Sequence, residues 1–176
     1  MNLQSNDFEL FGLPERFTQD VQAIDARWKA LQRETHPDRF AAQGAAAQRV
    51  AMQWSVRVNE AHQRLKDPQR RAAYLCELHG AAIDAEHNTA MPPAFLMQQM
   101  SWREALDDAE SAAAVQEIAA EVEQTRAGVL AQLAGLLDEA SDYPAAAAQV
   151  RVLMFLDKFL RDLRGRAHTL AQAARA

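Results

Sequence analysis

Apolar residues recur along this chain at steps of three and four, the period that gathers them on one face of a helix. The first run is brief: Phe8, Leu10, Phe11 and Leu13 make a short apolar turn over residues 7–13, closed by Gly12 and Pro14. Six longer helical stretches follow. From about residue 18 to 35, Val21, Ile24, Trp28 and Leu31 form one stripe. Pro37 must end it, because proline disfavours helical geometry in the residue before it. An alanine-rich link with Gly44 leads to a stretch starting near Ala45, with Val50, Trp54, Val58, Ala61 and Leu65 on one face. Asp67-Pro68 closes that stretch and opens the next, Asp67 as a cap and Pro68 in the first helical position. Residues 69–78 then stop on Gly80, suited to a left-handed C-terminal stop.

Residues 81–91 show no clear period and end at Pro92-Pro93, which predicts a linker over 81–92 and a domain boundary there. Three more segments follow, at about 93–110, 111–139 and 143–173. The second carries Val115, Ile118, Val122, Thr125, Val129, Leu133 and Leu136 at heptad-like spacing, and the third carries Val150, Leu153, Leu156, Leu160 and Leu163. Short connections between three amphipathic segments predict an antiparallel three-helix bundle over 93–176, after an N-terminal module over 1–80.

Composition agrees with an all-α chain. Of 176 residues, 37 are alanine, whereas glycine and proline together supply 12; alanine is the best helix former and those two the worst. One cysteine forms neither an internal disulfide nor a thiolate metal site, so a reducing, cytoplasmic setting is expected. No apolar run approaches the ~18–20 residues that cross a bilayer. MNLQSNDFEL has no positive charge ahead of an apolar stretch, so it does not read as a signal peptide. The net charge of −5 argues against general nucleic-acid binding. That charge is uneven: residues 1–80 carry +1 and residues 81–176 carry −6, and within 92–142 only Arg103 and Arg126 face ten acids.

The informative motif is His36-Pro37-Asp38, set between two amphipathic stretches whose apolar faces would pair as an antiparallel hairpin. Pro37 stiffens the tip, where His36 and Asp38 serve no core. The stretch before it carries Lys29, Gln32 and Arg33, with Arg27 nearby; Lys29 and Arg33 are four apart and share a face. A short helix, a basic helix, an HPD loop, an apolar helix and a short closing helix within 80 residues resemble a J-domain. J-domains engage Hsp70 chaperones and stimulate their ATPase, and the matching positions here are His36, Pro37, Asp38, Lys29, Arg33, Gln32 and Arg27.

The likeness runs further. DFELFGLP, HPDRF, RRAAYLCELHG, AFLMQQM and VLMFLDKFL, in that order and at workable spacing, resemble the HscB family, J-protein co-chaperones of iron–sulfur cluster assembly. That resemblance implies a J-domain followed by a C-terminal three-helix bundle, an Hsp70-type partner (HscA-like) and an iron–sulfur scaffold client (IscU-like). The zinc-binding N-terminal extension of the animal members is not expected here, and the chain resembles the shorter bacterial form. A J-domain protein with a different client is the alternative.

In segment 93–110, Phe95, Trp102, Leu106 and Ala109 form the core stripe, at spacings of 7, 4 and 3. Leu96, Met97 and Met100 mostly turn away from it, and Glu104 and Asp108 continue their line. An apolar patch rimmed by charge suits a partner surface, and methionine adapts to such contacts. In the last helix Phe155 departs from the core stripe and lies with Val152 and Phe159. The resemblance assigns scaffold binding to Leu96, Met97, Met100, Glu104, Asp108 and Phe155. Two positions depart from the family pattern: Met100 stands where leucine is common, and Ser101 where glutamate is common.

Other residues offer less. Trp28, Trp54 and Trp102 fall on core stripes, and Cys76 reads as a small buried hydrophobe. His62, His79, Glu86-His87 and His168 do not converge on a ligand set, so no metal and no cofactor are expected. No glycine-rich phosphate loop is present, so ATP is expected to be bound by the partner only. A hydrolase built on His36 and Asp38 lacks a nucleophile in register, and Pro37 is expected to point those two side chains apart; no enzymatic activity is expected.

Overall fold

The computed structural model describes residues 4–84 and 91–175; Glu86 and His87 lie outside them, as does half of the predicted linker. The described chain is a run of helices: α1 (Asp7–Phe11), α2 (Val21–Thr35), α3 (Ala45–Lys66), α4 (Pro68–Leu78), α5 (Pro93–Asp107), α6 (Ala112–Ala134) and α7 (Tyr143–Ala173). A 3-10 turn, Pro37–Gln43, joins α2 to α3, where the sequence predicts an alanine-rich link. A π turn, Gly135–Glu139, continues α6.

Local chemistry sets the boundaries. Asn6 caps α1 in a capping box with Glu9. Asp20 caps α2 by accepting the Gln22 N–H at 2.8 Å. Asp67 caps α4 by accepting the Arg70 N–H at 2.8 Å, with Pro68 in the first turn. Gly80, at φ 76°, makes the left-handed exit after α4.

Helices α2 and α3 pair as an antiparallel hairpin around Ile24, Leu31, Val58, Ala61 and Leu65, covered by Phe8 and Phe11 of α1. Two residues of the predicted stripes are exposed: Val21 (43%) on α2 and Val50 (51%) on α3, where Ala51 takes the buried position. Ser55 is level with Thr35, the last residue of α2, so Val50 lies beyond the end of that helix. Polar side chains stitch the rim of the hairpin. His62 meets Asp25 at 2.7 Å, Lys66 reaches Asp25 at 2.9 Å, and the Trp28 indole N–H donates to Asn59 at 2.9 Å. Hydrogen bonding from His62, then from Lys66, holds the Asp25 carboxyl below its ordinary pKa. Under α1, the Asp7 carboxylate is fully buried between Arg57 (2.5 Å) and Arg64 (3.0 Å).

Helices α5, α6 and α7 form the antiparallel bundle, with Val115, Val122, Leu133, Val150, Leu153, Leu156 and Leu163 inside. Its core is continuous with that of the N-terminal hairpin through α4, whose Leu75 and Cys76 belong to the same buried cluster. Burial pushes the Cys76 thiol up to about 11. Residues 81–84 also lie against α7: Ile83 is buried, and Arg151 donates to its carbonyl at 3.1 Å.

Candidate functional site

The HPD turn is built from backbone clamps. Helix α2 ends at Thr35, whose hydroxyl donates to the Leu31 carbonyl at 2.9 Å. The Ser55 hydroxyl, from α3, donates to the Thr35 carbonyl at 3.0 Å, and an Arg39 guanidinium N–H donates to the Arg33 carbonyl at 3.0 Å. Two of the carbonyls that every helix end leaves without partners are thereby satisfied by side chains. His36 then leaves the helix in extended geometry, and Pro37 opens the 3-10 turn.

The turn's side chains stay available. His36 is exposed, and its Nδ1 accepts the Asp38 N–H at 3.3 Å, capping the 3-10 turn. Asp38 is 90% exposed. Its Oδ2 lies 3.5 Å from His36 Nδ1, so the expectation that Pro37 splays the two side chains apart is corrected: the 3-10 turn folds Asp38 back beneath the ring.

Lys29 and Arg33 are exposed on the face of α2 that leads into His36. Gln32 is half-buried and hydrogen-bonded to Asn59, so α3 fixes its amide. Arg27 is two residues before Lys29, about 200° around the helix, and the structure does not gather it with the other cations. Arg39, part of the HPDRF block but given no role from the sequence, lines one depression with Gln32, Arg33 and His36. Its place one residue after the motif was the available signal.

The second surface is on α5. Met97 is 74%, Met100 62% and Leu96 45% exposed, while Phe95 and Trp102 of the same helix turn inward. Ser101, Glu104 and Asp108 are exposed along the same side. Phe155 is half-buried rather than displayed. Phe95 meets it edge-on at 5.6 Å, Phe159 stacks on it at 5.7 Å, and the Arg103 guanidinium lies 5.9 Å over its ring. It joins the patch to the aromatic layer beneath. The Trp102 indole N–H in that layer donates to Glu121 at 3.3 Å.

A polar tie between the two modules, beside the shared core, is Asp138, which sequence reading missed. The π turn, closed by Ala140 N–H to the Gly135 carbonyl at 3.0 Å, aims its carboxylate at the α1–α2 loop. There it accepts the Phe17 N–H at 2.6 Å and the Thr18 N–H at 2.9 Å, with Arg16 at 3.5 Å. Burial alone would raise the Asp138 pKa, but the donors from Thr18 and Phe17 and the Arg16 charge outweigh it and hold it below the usual carboxylate range. Buried Arg71 of α4 completes the junction by donating to the Phe17 carbonyl at 2.7 Å and to the Leu65 carbonyl. His79 stacks on Tyr143 at 3.9 Å.

Among the described residues no helix is long and apolar enough to cross a membrane, and no group of three or more His, Cys, Asp or Glu gathers as a metal site.

Comparison with known proteins adds three findings. Residues 91–164 match a protein-family model described as the HSCB C-terminal oligomerisation domain. The chain is 52% identical over 157 residues to a co-chaperone protein HscB homolog of Bordetella petrii, covering 89% of this chain and 92% of the relative. Among solved structures it resembles chaperone HscB from Vibrio cholerae (37% identity, TM-score 0.80, 94% of this chain and 99% of the other). It also resembles human co-chaperone protein HscB (26% identity, TM-score 0.87, 93% and 83%).

Proposed function

Because this chain belongs to the HscB family of J-domain co-chaperones, we propose that it binds an iron–sulfur scaffold protein (IscU-like) through α5 and delivers it to a specialised Hsp70 (HscA-like). The HPD turn and the Lys29–Arg33 face then stimulate the Hsp70 ATPase. The observation that carries this reading is the division of labour at the turn. Ser55 and Arg39 secure the backbone, while the side chains of His36 and Asp38 contact one another within the turn and stay largely in solvent.

The mechanism is differential binding. A co-chaperone accelerates hydrolysis in another protein only if its contacts are stronger with the conformation nearer the transition state than with the resting one. Lys29 and Arg33 provide long-range attraction to an acidic surface, which sets on-rate and salt sensitivity. His36 and Asp38 supply short, directional contacts at the stiffest point of the hairpin. No step of chemistry is assigned to this chain, and its setting is proposed to be the cytoplasm. The C-terminal segment is proposed to self-associate as well, in keeping with the description of the model that matches it.

The test is steady-state ATPase of the partner Hsp70, with scaffold, against wild type and His36→Gln. The variant is expected to lose stimulation while binding scaffold normally. Stimulation at the wild-type level by His36→Gln would refute the reading. Met97→Ala/Phe155→Ala is expected to bind scaffold at least about tenfold more weakly, the loss of two apolar contacts.

A further inference from the structure

Within the bundle, charge is segregated by helix. Residues 92–142 hold two Lys/Arg against ten Asp/Glu, whereas residues 143–176 hold six against two. Each segment contributes to a surface of its own sign. The acidic one is the α5 stripe, apolar at Leu96, Met97 and Met100 and acidic at Glu104 and Asp108. The basic one is a cleft of about 1300 Å³ between α7, α6 and the start of α4.

Leu130, Met154 and Phe155 give the cleft an apolar part, and Arg70, Lys158 and Arg161 give it charge. Its acids are already engaged. Asp157 accepts from Arg126 at 2.5 Å, Asp67 caps α4, and Glu123 faces Arg164 at 3.8 Å. No ion pair among the described residues takes up Arg70, Lys158 or Arg161.

The two surfaces match in order and length. On α5, Met97 precedes Glu104 by seven residues; on α7, Met154 precedes Arg161 by seven, about 10 Å in each case. Both run from apolar to charged in the chain direction, with opposite sign. They also adjoin, because Phe155 lines the cleft and touches α5 through Phe95.

We propose that the cleft receives the α5 stripe of a second copy of this chain. The incoming helix lies parallel to α7, with its Glu104 and Asp108 against Lys158 and Arg161 and its Met97 and Met100 over Met154 and Phe155. This names the surfaces of the self-association proposed above. Since α5 and α7 of one bundle are themselves parallel, a closed pair has its two-fold axis along the bundle. The same contact covers the stripe assigned to the client, so self-association and scaffold binding exclude one another.

The test is sedimentation velocity on the full chain from ~10 µM to ~1 mM, a range that resolves weak pairing. Wild type is expected to dimerise, more weakly in high salt because the charges are exposed. Lys158→Glu/Arg161→Glu and Glu104→Lys/Asp108→Lys are each expected to weaken the dimer by about tenfold or more, and an equimolar mixture of the two to restore it. All four positions are on the surface, and circular dichroism checks that the variants fold. A monomeric wild type throughout the range overturns both the pairing and its surfaces. A dimer indifferent to these reversals, or not restored by mixing, keeps self-association but removes the cleft as its seat. Loss of scaffold binding by the cleft variant with dimerisation unchanged gives the cleft to the client and likewise overturns the proposal.

Discussion

The hairpins α2–α3 and α6–α7 each present an aspartate at the tip, and the two live in opposite surroundings. Asp38 is 90% exposed; the side chain of Asp138 is 4% exposed, with three donors around it. The interfaces behind the tips are built alike. Asp25, His62, Lys66 and Asn59 line the rim of the first hairpin, and the Arg126–Asp157 and Glu123–Arg164 pairs that of the second, each around an apolar core. The contrast shows where binding capacity resides: a carboxylate used by the fold is unavailable to a partner, and one left in solvent adds little to stability. The inward tip fixes the frame from which the outward tip acts.

The largest expected effect tests whether the bundle separates a structural from a displayed face. Trp102→Ala removes a buried ring between Phe95 and Phe159 and should cost about 3–5 kcal/mol. Met97→Ala, five residues away on the exposed stripe, should stay within about 0.5 kcal/mol. Chemical denaturation of both variants measures the difference, and equal losses would erase the distinction.

Next in size is the inward tip. Asp138→Ala orphans the Phe17 and Thr18 N–H groups and should destabilise by about 2–4 kcal/mol. Because the folded pKa of Asp138 is lowered, its contribution is complete above the unfolded carboxylate pKa of about 3.9 and disappears as pH falls through the lower folded value. The advantage of wild type over Asp138→Asn should therefore be flat from neutrality down to about pH 5 and shrink below about pH 4. Urea titrations across that range check the sign. A gap that widened on acidification would contradict it.

A smaller effect is expected at the rim of the junction. Tyr143→Ala loses the ring stacked on His79, worth about 1 kcal/mol. If the angle between hairpin and bundle depends on this contact, small-angle scattering should broaden for Tyr143→Ala and broaden more for Asp138→Ala.

Legibility in the sequence followed the range of the interactions. Asp67-Pro68, Gly80 and the stripe of α7 were readable because caps, left-handed stops and helical period are local. So was the exposed Leu96–Met97–Met100 stripe, since face geometry needs only spacing. Asp138 was not readable. Its partners Phe17 and Thr18 are some 120 residues away, and the π turn that aims it leaves no periodic mark. The Asp7–Arg57–Arg64 cluster was missed for the same reason. At Val50 the period was right and the inference of burial wrong, because a stripe is buried only where a neighbouring helix extends to meet it.

The smallest expected effect on stability belongs to the outward tip, and it is the sharpest test of the comparison. Asp38→Ala removes one weak contact to His36, at 3.5 Å and almost wholly in solvent, so the unfolding free energy should change by less than about 0.5 kcal/mol. The backbone clamps from Ser55 and Arg39 do not involve the Asp38 carboxylate and should persist. Stimulation of the partner ATPase should nevertheless be lost, because a carboxylate so exposed and so weakly held acts mainly through what it meets outside the chain. Ser55→Ala should do the reverse in part. It keeps every side chain of the motif, frees the Thr35 carbonyl, and should lower stimulation only as far as the tip loosens. If Asp38→Ala proved as destabilising as Asp138→Ala, the two tips would be doing the same work and the assignment of one to binding would fail.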